Sequence, residues 1–519
     1  MKLNYKRTIC VGFAFFLICA FWQAYDNTIP LLLTNKFGMK QTWSGFIMAL
    51  DNILALFLLP LFGALSDKST SKHGRRTPFI VAGTIVAVIA FVALSFVDNA
   101  QLSHISEVSA IDDPAALQTI YETEADQSLL TPEGDSFVLN QMYSEEQFMA
   151  IRSEIEEDGK TVTNPEYTNY VVPARQAYAW QATAESPGTL VFFVILLLIV
   201  LVSMAIARSP AVALMPDVTI KPLRSKANAV INLMGSAGGI LVLILGMVFA
   251  TSAVRNSLMS YTGYFSVIAG IMIVALAIFL LTVREPKFVE EMHRESEKYG
   301  IMEDAGENAE HEHKKLGAAE RRSLILILSS IVLWFMGYNA VTSKYSVYAS
   351  NILHKDYNFT LIIAQAAAII SYLPVGIVAS RIGRKKTILA GVIMLAAAFT
   401  GAIFMRADSP TLVMNCFFAL AGIGWATINV NSFPMVVEMC SGGDVGKYTG
   451  YYYSASMAAQ VITPVFSGFL MDKLGMTVLF PYAAVFAALA FFTMLFVKHG
   501  DSRPEAKKGL EALEDMDAD

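Results

Sequence analysis

Charge is what this sequence has least of. Only 16% of its 519 residues are Asp, Glu, Lys or Arg, against about 25% in an ordinary soluble domain; 55% are hydrophobic and the mean hydropathy is +0.50. A soluble globular fold is excluded. Cysteine is nearly absent: Cys10, Cys19, Cys416 and Cys440 sit in or beside apolar runs, spaced for neither a zinc site nor a disulfide framework, and read as packing residues. There is no Gly-x-x-x-x-Gly-Lys loop and no nucleophile motif, so no enzyme constellation is present. The one histidine pair, His311 and His313, is two residues apart and does not share a helix face, so no metal site is expected. Neither a cofactor nor a nucleic-acid partner is implied.

What the sequence has in abundance is long oily runs. A bilayer core about 30 Å thick takes roughly 20 apolar residues per helical crossing, and twelve such runs are present: 8–33, 43–65, 78–97, 188–208, 228–251, 263–283, 323–348, 359–380, 387–405, 410–437, 449–470 and 478–497. The fold class is an all-α membrane protein. The first run has no small-residue cleavage site and reads as an uncleaved anchor. Lys and Arg crowd the loops after runs 2, 4 and 8, at Lys68, Lys72, Arg75 and Arg76, at Lys221, Arg224 and Lys226, and at Arg381, Arg384, Lys385 and Lys386. The opposite loops hold only Lys36, Lys40, Arg255, Arg406 and Lys473. Basic loops mark the cytoplasmic side, which places both termini there; a bacterial cytoplasmic membrane is the expected location.

An internal repeat organises the runs. "LLPLFGALSD" (58–67) lies over "YLPVGIVASR" (372–381), setting Pro60 on Pro374 and Ser66 on Ser380, and the same offset of 314 sets Asp51 on Gln365. At 313, "FWQAYDN" lies over "WFMGYNA", matching Tyr25 to Tyr338 and Asp26 to Asn339; at 309, Gly74-Arg75-Arg76 meets Gly383-Arg384-Lys385. The offset then falls to 221, where Asp217 meets Glu438 and Lys226 meets Lys447. Two copies of a six-helix unit are therefore expected, with an insertion between the third and fourth helices of the first. Residues 1–98 and 188–283 form one bundle and 323–498 the other; 284–322 is a cytoplasmic linker and 499–519 a cytoplasmic tail. Parallel six-helix repeats of this kind build the major facilitator fold.

The insertion, 99–187, carries sixteen acidic residues against Arg152, Lys160 and Arg175. It is expected outside the membrane, since long loops translocate largely regardless of charge. Its composition favours a solvated, partly disordered loop over a lid or partner-binding patch, although "PAALQTIYETEADQ" and the stretch opened by Ser144, Glu145 and Glu146 fit short helices. Its partner, if it has one, is not legible.

The stretch "GALSDKSTSKHGRRTPFI" (63–80) ends the second run with Gly-x-x-x-Ser-Asp and a basic Gly-Arg-Arg loop. It resembles the signature of the major facilitator superfamily. In its longer form it resembles the sucrose-transporter branch of the glycoside-pentoside-hexuronide cation symporters, as does "RSPAVALMPDVTIKPLRSKANAVINLMGSAGGI" (208–240). The resemblance extends over nearly the whole chain except the insertion and tails, and implies a rocking-bundle sugar symporter with glycosides as substrates. Where melibiose-type relatives place two cation-holding aspartates before the proline of helix 2, this chain has Ala55 and Leu59, which disfavours a sodium site and leaves proton coupling the better expectation. Asp67, Gly74, Arg75 and Arg76 are read as a latch. Arg208, Asp217, Arg224 and Glu438, at what read as cytoplasmic helix ends, are expected to form gating ion pairs.

Ionisable groups inside a span are costly and commonly functional. Asp26 lies about 27 Å along run 1 from its cytoplasmic start, and Asp51 about 21 Å along run 2 from its cytoplasmic end, at 1.5 Å per residue. Both are candidates for proton coupling, and their repeat partners Asn339 and Gln365 are neutral. A sugar needs hydrogen-bonding groups and flat apolar surfaces, and Gln23, Asn27, Asn232, Tyr338, Asn339, Gln365, Trp425, Asn429 and Asn431 are placed to supply them. Asn429 and Asn431 point differently, so one is expected to face a cavity. Tyr451 or Tyr452 could join them, although an interfacial belt fits that position better. The sequence reads as a secondary transporter, a proton-coupled sugar importer by alternating access. An exporter of amphipathic compounds and a non-transporting nutrient sensor are the other readings.

Overall fold

Lipid offers no partners to a peptide backbone, so apolar segments cross it only as helices or closed barrels. The computed structural model describes residues 3–157, 159–220, 223–299, 317–437, 439 and 445–500. Along the chain come α1 (Tyr5–Asn35), α2 (Gln41–Asp67) and α3 (Thr77–His104), then the insertion, then α8 (Gly188–Asp217), α9 (Arg224–Val248) and α10 (Thr262–Thr282). The short α11 (Glu285–Lys298) precedes α12 (Ala318–Tyr348), α13 (Tyr357–Ile382), α14 (Arg384–Ala402), α15 (Thr411–Val437), α16 (Val445–Leu474) and α17 (Leu479–Leu495). Eleven described helices are long and apolar enough to cross a membrane, and α13 adds an apolar stretch from Tyr357 to Tyr372. Together they match the twelve apolar runs of the sequence.

Each six-helix unit has its own core. In the first, Phe91 packs on Phe21 and Phe265, and α1 lies along α9 and α3 along α8. In the second, Trp334, Phe399, Phe418 and Phe480 are buried together, with α12 on α17 and α14 on α15. The bundles meet through α2 with α16, α9 with α13 and α1 with α12. The repeat survives in local geometry: Pro60 and Pro374 both lie inside helices, and Gly74 and Gly383 both turn the chain at positive φ, +106° and +92°. A side chain is strained there, which is why both turns use glycine.

Two expectations need correction. The fourth run does not end at 208: α8 continues to Asp217 through Pro210, because residues 211–214 stay apolar and the Ser209 hydroxyl donates to the Leu59 carbonyl of α2 at 2.8 Å. The insertion is not a disordered loop either. It holds α4 (Pro114–Glu124), α5 (Leu139–Met142), α6 (Glu145–Met149) and α7 (Val172–Glu185), with hairpins of β1 (Ser128–Leu130) with β2 (Ser136–Val138) and β3 (Glu154–Glu157) with β4 (Lys160–Thr163). Ser144 and Gln147 form a capping box at α6. Ile120, Leu139, Phe148, Tyr167 and Val171 make a separate buried core, so enough apolar surface is present to offset ordering an acidic segment. The insertion and the basic loops lie on opposite ends of the bundles, called below the insertion face and the basic face.

Candidate functional site

A cavity of about 360 Å³ lies between the bundles at mid-height. Four of its wall positions are related by the repeat: Asp26 and Asp51 from the first bundle, Asn339 and Gln365 from the second. The fold thus brings the two candidate carboxylates into one chamber and faces them with neutral amides. Asn52 donates to the Asp51 carboxylate at 2.8 Å.

Arg208 corrects the sequence reading. It lines this cavity and not a cytoplasmic helix end, since α8 extends nine residues past it. Its guanidinium lies 5.8 Å from the Trp22 ring and acts electrostatically on both Asp26 and Asp51. Among the described residues that line the cavity, two are acids, Asp26 and Asp51, and one is a base, Arg208, so the lining carries one more acidic than basic group.

The opposite wall is aromatic. Tyr338 and Trp425 stack with centroids 3.7 Å apart and planes 2° from parallel, and Phe335 meets the Trp425 edge. Around the cavity, Asn27 Nδ2, Asn339 Nδ2, Gln365 Oε1, Asn429 Oδ1 and Trp22 Nε1 have no hydrogen-bond partner among the described residues. Buried polar groups are ordinarily satisfied, so a ring of unsatisfied ones around a cavity is suited to a polar ligand. Gln23 and Gln365 approach from different bundles, and a Cβ on Gly239 would lie 3.3 Å from each amide.

Of the other expected contacts, Asn429 lines the cavity, whereas Asn431 is fully buried and donates to the Thr427 carbonyl one turn back. Asn232 is buried away from the wall and already engaged. Tyr452 is buried against Ser432 and Tyr451 is exposed. Trp22, Asn52, Ser236 and Gln460 also line the cavity and escaped the sequence reading; Asn52 and Trp22 flank the two aspartates or lie a turn from them, which was the available signal.

On the insertion face the bundles are sealed. Asp472 of α16 accepts the backbone N–H groups of Gln41 and Thr42 at the start of α2, each at 2.8 Å. Lys344, fully buried, donates to the Gln41 carbonyl at 2.8 Å. Tyr357 and Asn358 of α13 bond to Thr251 beyond α9. The helices touch closely because Gly45 lacks a side chain: a Cβ there would lie 1.9 Å from the Pro464 carbonyl. Toward the basic face, Phe57, Leu61 and Leu65 of α2 are exposed.

The basic loop forms a network within the first bundle. Arg76 pairs with Asp67 and, through Nε at 2.8 Å, with Asp217; Arg75 reaches Asp217 at 3.0 Å. Glu285 of α11 accepts the N–H groups of Arg76 and Thr77 at 2.9 and 2.8 Å, capping α3, and Gly74 leaves room for it, since a Cβ there would lie 2.2 Å from that carboxylate. Arg224 donates locally to the Thr219 carbonyl. Glu438 lies outside the described residues. The described contacts of this latch join α2, α3, α8 and α11, not the two bundles.

Two family models match the chain: the "MFS_1 like family" over residues 13–361 and the Major Facilitator Superfamily over 355–515. Among curated proteins, the sucrose transport protein SUC4 of Arabidopsis thaliana is 39% identical over 60 residues, 12% of each chain. SUC3 of the same organism is 41% identical over 59 residues, 11% of this chain and 10% of that one. The chain thus matches about a tenth of these relatives' length. Among solved structures, the inward-open xylose transporter XylE from E. coli covers 98% of both chains at a TM-score of 0.57 and 15% identity. A D-xylose-proton symporter (0.55, 15%, covering 96% of this chain and 99% of its own) and a bacterial homologue of the iron transporter ferroportin (0.56, 12%, 95% and 99%) share the same fold.

Proposed function

The chain belongs to the major facilitator superfamily, a family of membrane transporters, and from that membership we propose that it imports a sugar or glycoside together with a proton by alternating access. One observation carries this reading: Asp26, Asp51 and Arg208 share a single cavity with an aromatic slab and unsatisfied amides contributed by both bundles. The amides and Trp22 supply directional bonds to hydroxyl groups, and the Tyr338–Trp425 stack offers a flat face to the C–H side of a pyranose ring. The two carboxylates compete for Arg208. A proton on one of them removes the excess negative charge, and release of that proton restores it, which ties proton movement to the state of the cavity. The sucrose transport relatives support a sugar over an amphipathic substrate.

The distribution of basic loops supports a cytoplasmic basic face and an outer insertion face. With the outer side sealed by Asp472 and Lys344, the conformation described is an inward-facing one. The Gly74–Arg76 network is then a brace that keeps α2, α3 and α8 moving as one body. The test is uptake into proteoliposomes of labelled disaccharides and monosaccharides under an inward pH gradient and, separately, a sodium gradient. Uphill accumulation driven by protons alone supports the proposal; no sugar movement under either gradient by folded protein overturns it.

A further inference from the structure

The insertion is built into one bundle but touches both. Its chain leaves α3 and returns to α8, and its core is shared with Leu102 of α3 and with Val254 and Leu258 of the connection after α9. Gln101 of α3 donates to Thr183 of α7 at 2.9 Å. Gln176 of α7 donates to Asn35 at the end of α1 at 3.1 Å, and α7 crosses the following turn so closely that a Cβ on Gly38 would lie 2.2 Å from the Gln176 carbonyl. The insertion is therefore a rigid extension of the first bundle.

It reaches the second bundle at two separate points. Thr168, fully buried in the helical turn before α7, shares a 2.8 Å hydrogen bond with His354 Nε2 in the α12–α13 connection. The tip of the β1–β2 hairpin meets the α16–α17 connection, where the Met476 N–H donates to the Pro132 carbonyl at 2.7 Å. Backbones touch there: a Cβ on Gly475 would lie 2.1 Å from the Glu133 carbonyl. The two gripped connections adjoin α12, α13 and α16, the helices whose ends hold Lys344, Tyr357 and Asp472 in the seal below.

We propose that the insertion is an outer clasp, carried by the first bundle and gripping the α12–α13 and α16–α17 connections of the second, which must release before the outer face can open. The proposal rests on the reading that the bundles rock against each other. Two hydrogen bonds and a glycine contact, on two connections of the second bundle that Asn351 and Met476 bring together, resist that rotation, because a rigid body moving with α1, α3 and α8 cannot keep them while the second bundle turns away. The clasp so biases the resting protein toward the inward-facing state and sets how readily the empty transporter turns outward.

The test uses the full chain in sealed vesicles, with Ser236→Cys as the sole cysteine, since Ser236 lines the cavity, and a membrane-impermeant maleimide applied to the insertion face. Leaving the Pro132–Met476 contact in place, Thr168→Val removes the first of the two grips while keeping the shape. His354→Asn removes it from the other side, Asn being suited to the left-handed backbone of His354, at φ +51°. Each variant should raise the labelling rate on the order of fivefold, as loss of one hydrogen bond does, and the double variant should add little more. Unchanged or slower labelling in both, in protein melting with the parent, overturns the clasp. Neither substrate nor ion gradient is used, so failure here is distinguishable from failure of the sugar or proton assignment.

Discussion

Asp472 caps α2 from the other bundle: its carboxylate accepts the N–H groups of both Gln41 and Thr42 at 2.8 Å. A helix start carries unpaired donors and partial positive charge, so α2 finds its cap only while the outer side is closed. Asp472→Ala should destabilise the closed outer face by about 1 kcal/mol, the usual value of a cap, shifting roughly fivefold toward the outward-facing state. Spin-label distances between the outer ends of α2 and α16 should lengthen. If the distance distribution stays that of the parent, the cap is not part of the gate.

Gly45 is the steric counterpart of that cap. Gly45→Leu places a side chain where even a Cβ would lie 1.9 Å from the Pro464 carbonyl, so α2 and α16 cannot meet. Uptake should fall to background while the protein still binds substrate from outside. Normal uptake would mean that the two helices never need this approach.

Asp26→Asn and Asp51→Asn each remove one of the two charges facing Arg208. At least one variant should lose uphill accumulation, its internal concentration merely equalling the external one, while retaining substrate exchange across the membrane. Full accumulation in both would remove the carboxylates from the coupling step.

Trp425→Ala removes half of the stacked slab. Aromatic contacts contribute about 0.5–1.5 kcal/mol beyond area burial, so apparent substrate affinity should weaken roughly two- to twelvefold, with a smaller effect on maximal rate. Titration of uptake against substrate concentration checks this.

Glu124 gives the insertion a pH dependence. It is fully buried, neither carboxylate oxygen has a hydrogen-bond partner among the described residues, and burial pushes its pKa up to about 7 from 4.5. The folded insertion therefore holds a proton that the unfolded chain has lost between those values. Its stability is fully present below pH 4.5, falls as pH rises to about 7, and is flat above. Glu124→Gln should stabilise the insertion at pH 7.5 and flatten this slope, read as protease resistance of the insertion in the full-length protein. A slope identical to the parent's would place the titration elsewhere.

Twelve crossings, their repeat and the family were legible in the sequence because each rests on local or periodic information: apolar length, basic loops, and Pro60 over Pro374 or Gly74 over Gly383. The carboxylates were legible too, since Asp26 and Asp51 stand out chemically inside apolar runs. What the sequence could not supply was which helices face each other. Arg208 reads as a helix-end charge until α8 is seen to continue past it into the space beside Asp26. Lys36 reads as a loop cation, yet it is fully buried against Asp98; that partner is 62 residues away, beyond any local pattern. Asn429 and Asn431 look equivalent in composition, and only the rotation of α15 separates wall from packing. The insertion reads as an acidic, solvated loop, because its apolar residues are scattered and make a core only when four helices and the β1–β2 hairpin bring them together. Spacing along the chain determined the twelve helices and their two-fold order; the cavity, the seal and the clasp depend on groups hundreds of residues apart, and packing alone decided those.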